Sequence, residues 1–323
     1  MRKRLILSVL VLAVAACDRV TTPFHRDAGP DSLASEWEHV DAGSVNYNAV
    51  SGSDPNNVFI VGDQGTILHW DGLALQREES GTYANLRGVH VVDEAIAYAV
   101  GEQGTVLLRQ GDIWTPQPPV TSAVLNGVLG GKNAAGQDIA AAVGEQGTVL
   151  TFASGVWHVL GDEYRDNLYA VIQWWGGIQA IGATGTLRLI NVSGSIAAPT
   201  SIPNFQKVLA GAAYISKSYY AGGVDGALFL CDDKSYTLIG GLPQKFIRAI
   251  SVEPTTNTAW IVGHEGLVAS LPEGGSPTVI PAPDDTWLLG VYAASPSDVW
   301  VVGRSGVILR GPPGVRGKDG GVL

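Results

Sequence analysis

Five carboxylates, Asp63, Glu102, Glu145, Asp225 and Glu265, occupy near-equivalent places in a short motif that returns every 38 to 43 residues. Carboxylates gathered on one rim by such a repeat would attract a basic protein surface or divalent ions. A second set, Glu78, Glu79, Asp162, Glu163, Asp166, Asp284 and Asp285, lies between the motifs and is expected on the same rim, opposed by Arg165, Lys245 and Arg304. The bland alternative is a solvated acidic face that keeps the protein soluble. The pair Trp174-Trp175 offers different chemistry: exposed rings would stack on a sugar or grip a peptide, whereas buried ones would only fill the core. No catalytic residue or metal site is expected. The six histidines, His25, His39, His69, His90, His158 and His264, lack metal-ligand spacing. Arginines do not recur at one place in the repeat, as a carboxylate-binding glycosidase would need, and a Ser elbow would require a helix that the pattern does not provide. No cofactor is expected either.

The other reactive group is a thiol. Arg2, Lys3 and Arg4 precede an apolar run from Leu5 to Ala16, too short for a stable bilayer span, and the run ends in Val14-Ala15-Ala16-Cys17. Small residues directly before a cysteine resemble the bacterial lipobox, so residues 1–16 read as a lipoprotein signal peptide and Cys17 as the lipidated first residue. Several acyl chains on one residue would hold the chain firmly to a membrane. Residues 17–34 then form a flexible polar tether, and the glycine-rich residues 311–323 a disordered tail. With Cys17 acylated, Cys231 has no intramolecular partner, and stability must come from burial. The net charge of −10, more negative still without the signal, disfavours a nucleic-acid partner.

The elements that position these groups follow from the repeat. "AVGEQGTVL" stands at 99–107 and again at 142–150, and related motifs begin at Gly62, Gly101, Gly144, Gly182, Gly223, Gly263 and Gly303. Before each glycine lies a second signature: "YNAV", "LRGV", "LNGV", "LYAV", "FQKV", "IRAI" and "LLGV", ending at Val50, Val89, Val128, Val171, Val208, Ile250 and Val291. Its third position is small except for Lys207. Each unit reads as four short strands with a Gly-x-x-Gly turn between the second and third, both glycines being expected to relieve positive φ. Seven such units make an all-β, seven-bladed propeller over residues 35–310. Trp114 and Trp157 mark outer strands, and "SEWEHV" with Trp37 matches them, so residues 35–42 are expected to complete the last blade and close the ring.

The motifs "L-x-G-V" and "A-V-G-x-x-G-T-V-L" resemble those of BNR-like and YVTN-like propellers, in particular the group similar to the photosystem II assembly factor. The resemblance implies an envelope or lumenal assembly role. The expected function is a membrane-anchored, monomeric interaction scaffold in the bacterial envelope, docking a protein with a basic surface. The alternative is a carbohydrate-binding or carbohydrate-cleaving propeller.

Overall fold

In the computed structural model, residues 37–161, 164–174, 177–191 and 195–311 are described. The signal, tether and tail expectations fall outside them, except that Gly311 ends a strand instead of beginning a tail.

The second strand of each unit is mostly apolar, and in 58–62 and 96–101 it is buried on both faces. A strand with no wet face must lie between two layers, and the propeller supplies them: seven antiparallel four-stranded sheets packed around a ring. Blade 1 comprises Tyr47–Asp54, Asn57–Gly62, Ile67–Trp70 and Leu75–Glu78, ordered from the axis outward. Five further blades follow this pattern. In blade 7, strands Leu288–Ser295, Asp298–Gly303 and Ile308–Gly311 are completed by Glu38–His39, with Glu38 opposite Arg310 and His39 opposite Leu309. The expected clasp therefore forms. Inner strand 47–54 packs beside both 86–91 and 288–295, so the ring is closed.

One element differs from its sequence assignment. The inner strand of blade 5 is Leu209–Ile215, and Leu209 faces Gly223 as Leu86 faces Gly101. The signature is thus Leu209-Ala210-Gly211-Ala212, not the segment ending at Val208. Gly211 takes the small position, where a Cβ would stand 3.0 Å from Ala249 Cα of the next blade. The small residue is needed in all seven blades because neighbouring inner strands converge on the axis. Lys207 is exposed in the preceding connection and pairs with Asp225.

The turns also correct an expectation. Gly101 is extended (φ −170°), and the left-handed conformation falls on Gln103 and Gly104. Gly101 is required by close approach instead: a Cβ there would lie 2.2 Å from the Asn85 carbonyl oxygen.

Polar side chains strap adjacent inner strands together. Ser51 Oγ accepts from Val91 N at 3.2 Å, His90 Nδ1 from Gly130 N at 3.2 Å, and Ser251 Oγ from Ala293 N at 3.1 Å. His90 must therefore be neutral to accept, and burial pushes its pKa down to about 4. Its folded pKa lies below the unfolded value near 6.5, so the unfolded chain binds the extra proton. This contribution is complete above pH 6.5 and is lost as pH falls through 4. Chemical denaturation of wild type and His90→Gln between pH 7 and 4 is expected to show a difference of about 1–3 kcal/mol that shrinks with acidification. A pH-independent difference would remove His90 as the cause.

Candidate functional site at the channel mouth

Inner strands start, and second strands end, on one face of the ring. That face carries the channel mouth, the Gly-x-x-Gly turns and the connections between blades. Ser305 N donates to Asn46 Oδ1 (3.0 Å) across the ring closure, Gln64 N to Asn85 Oδ1 (2.9 Å), and Gln146 N to Asn167 Oδ1 (2.8 Å). These links fix each turn against the following blade, so residues carried on the turns sit on a stiff frame.

The expected acids lie on this face, but several already have internal partners. Asp63 accepts from Asn46 Nδ2 (2.7 Å) and Asn48 Nδ2 (2.9 Å). Glu102 accepts from Asn85 Nδ2 (3.1 Å) and pairs with Arg87. Asp225 pairs with Lys207, and Asp166 accepts from Thr184 and Thr186 hydroxyls. Asp284 accepts from Thr286 N at 2.7 Å, and hydrogen bonding by Thr286 lowers its pKa. Glu265 contributes its backbone carbonyl to Lys245 Nζ at 2.6 Å. Glu145 and Asp285 have no side-chain partner among the described residues. Asp162, Glu163, Trp175 and the Trp174 side chain lie outside the described residues.

Glu78 is not on the rim. It sits in the seam between blades 1 and 2, taking hydrogen bonds from Trp114 Nε1 (2.6 Å) and Arg109 Nε (3.2 Å), with His69 Nδ1 at 3.0 Å. Arg109 also lies over the Phe59 ring, 4.8 Å from its centroid. These donors hold the Glu78 pKa below the usual carboxylate value against the opposing effect of burial, which is the largest single influence.

Nor is the face uniformly acidic. The first variable residue of the turn runs Asp63, Glu102, Glu145, Ala183, Val224, His264, Arg304 around the ring. Blades 1–3 are acidic, blades 4–5 apolar, and blades 6–7 carry an imidazole and a guanidinium. There Trp287 lies in a stack: His264 is parallel to one face at 3.9 Å, and the Arg304 guanidinium is 3.9 Å from the ring centroid. Burial, and then the charges of Arg304 and Arg248, lower the His264 pKa. The turn tetrads contain this gradient in plain sequence, but it is visible only when the first variable position is read separately from the second, where Asp225 and Glu265 stand.

A second feature was also present in sequence and passed over. The residue before each small position, Asn48, Arg87, Asn126, Tyr169, Ala210, Arg248 or Leu289, lines a channel cavity of about 170 Å³. Neighbouring positions are aliphatic or small in every blade except at Tyr47; this one varies. Asn48 Nδ2 and Asn126 Nδ2 each donate to the next blade, to Leu86 O (2.8 Å) and Leu168 O (2.9 Å). Among the described residues no group of three or more His, Cys, Asp or Glu side chains could hold a metal ion. Cys231 is buried at the end of a third strand, with its thiol pushed up to about 12 mainly by burial.

No protein-family model matches the chain. Among curated proteins, the immune protein Tsi7 of Pseudomonas aeruginosa is 28% identical over 89 residues, a match covering 25% of this chain and 29% of that protein. Among solved structures, YCF48 bound to D1 peptide has a TM-score of 0.68 at 15% identity, over 88% of this chain and 99% of that one. Virginiamycin B lyase from Staphylococcus aureus has a TM-score of 0.73 at 10% identity, over 85% and 99%. At such identities the likeness is one of fold, and the chain is a seven-bladed β-propeller structurally similar to YCF48 and to other propellers.

Proposed function

We propose that this chain is a lipid-anchored propeller of the bacterial envelope that docks a protein partner on its channel-mouth face. The observation that carries the reading is chemical variation on a repeated backbone: turn geometry is near-identical around the ring, while the side chains on this face change from acidic to apolar to an imidazole and a guanidinium. A rim selected only for solubility has no need of such a gradient. The acidic sector, where Glu145 has no internal partner among the described residues, suits basic groups on the partner.

Chain direction supports the same orientation. Glu38 lies level with Arg310, on the face opposite the mouth, so a tether from Cys17 would join the propeller away from the docking face. A bound peptide also appears in the name of one structurally similar protein, YCF48 bound to D1 peptide, where it describes that protein.

The test is proximity crosslinking in the native host, comparing wild type with Glu145→Ser/Asp285→Ser/Arg304→Ser on the mouth face and Glu94→Ser on the opposite face. Docking predicts an envelope protein captured by wild type and by Glu94→Ser and lost from the mouth variant. Retention of the same captured set by the mouth variant would overturn the reading.

A further inference from the structure

Of the seven side chains ringing the mouth, Asn48 and Asn126 are spent on bridging blades, and Ala210 and Leu289 bring no polar group. Arg87, Tyr169 and Arg248 remain. Arg87 Nη2 donates to Glu102, but its Nε is buried without an acceptor. Arg248 is half-buried, lines the same cavity, and has neither a hydrogen bond nor an ion pair among the described residues. Burial, and next the like charge of Arg87, push the Arg248 pKa below the ordinary arginine value.

Two guanidinium groups thus share a narrow, protein-walled cavity with one carboxylate, Glu102, in reach of one of them. Like charges in such surroundings repel more strongly than in open water. An entering anion would relieve that repulsion and pair with the Arg248 guanidinium. A guanidinium is a planar fork of N–H groups that matches a carboxylate in shape as well as charge. The cavity, about 170 Å³, is smaller than pockets that enclose drug-sized ligands but admits the end of one side chain.

We propose that the channel mouth is a carboxylate-binding site, in which Arg248, with the Arg87 guanidinium beside it, receives an acidic side chain presented by the docked protein. It deepens the docking reading and rests on it: the acidic sector takes basic groups of the partner, and the mouth takes an Asp or Glu from the centre of the same surface. Arg304 is not part of the site, because its guanidinium is stacked on Trp287.

The test uses the lipidated chain in zwitterionic nanodiscs, titrated calorimetrically with acetyl-Gly-Gly-Glu-Gly-Gly-amide, with its Gln counterpart, and with glucuronate. The Glu peptide is expected to bind and the Gln peptide not to. Arg248→Gln is expected to weaken binding by about tenfold or more, the scale of a lost charged hydrogen bond, while Lys217→Gln, exposed on the opposite face, leaves it unchanged. Without peptide, Arg248→Gln is expected to raise Tm, since it removes an unpaired charge. Equal binding of the two peptides, wild-type affinity in Arg248→Gln, binding of glucuronate alone, or a lower Tm in Arg248→Gln would each overturn the proposal. If crosslinking depends on the mouth face but the Glu peptide does not bind, the carboxylate site falls and docking stands; if the Glu peptide binds but crosslinking ignores the face, docking falls.

Discussion

Removing residues 37–42 is expected to make the propeller associate in a concentration-dependent way and to lower its stability markedly. These residues supply the outer strand of blade 7, and Val40 N donates to Ile308 O at 2.9 Å beyond the paired Glu38–His39. Trp37 is buried at 4% exposure, edge-on to Trp260 with ring centroids 6.2 Å apart. Without the clasp, strand 308–311 becomes a free edge, a template for pairing with another chain. Beside it, Arg310 makes a two-point pair with Asp298 (2.7 and 3.0 Å) while lying over the Trp70 and Trp300 rings, so the exposed edge would also wet a part-buried ion pair. Trp37→Ala by itself should cost about 3–5 kcal/mol by denaturant titration, the range for truncating a buried Trp. If the shortened chain elutes as a monomer at every concentration and melts like wild type, the strand pairing does not close the ring.

The second large effect separates two reasons for glycine. Gly104 and Gly111 have similar left-handed backbones, with φ of 66° and 60°. A Cβ at Gly111 meets nothing within 4 Å, whereas one at Gly104 would lie 1.9 Å from the carbonyl oxygen of Thr121 in the next connection. Gly111→Ala should therefore cost only about 1 kcal/mol, the penalty of a left-handed L-residue. Gly104→Ala must displace main chain held on both sides, and is expected to cost about 3 kcal/mol or more. Equal losses in the two variants would mean that backbone conformation, not the approach of the neighbouring blade, selects the glycine. The recurrence of "AVGEQGTVL" has this cause: each copy builds a turn that the next blade's connection crosses at contact distance.

The fold was largely legible because each signal was local and repeated. Gly-x-x-Gly turns, apolar second strands and the outer-strand tryptophans all lie within one repeat length, and the match of "SEWEHV" to "SGVWHV" placed the clasp. Blade 5 was misplaced because its lead segment, "FQKV", imitates the apolar ends of the signature; only the pairing of Leu209 with Gly223 exposes the true register. The candidate face was legible in position but not in charge. Turn acids were found, yet the internal engagement of Asp63 and Glu102 and the burial of Glu78 depend on asparagines, arginines and tryptophans from other strands and blades.

The sequence alone determined the blade number, the strand order and the closure, since these follow from the period of a pattern and the short reach of a hairpin. Tertiary structure decided which charges remain available. Arg87 and Arg248 are 161 residues apart in the chain, and nothing near either in sequence marks them as neighbours. They share one cavity because a ring brings the same position of all seven blades to the axis, where like charges and missing partners are set by convergence in space, not by spacing along the chain.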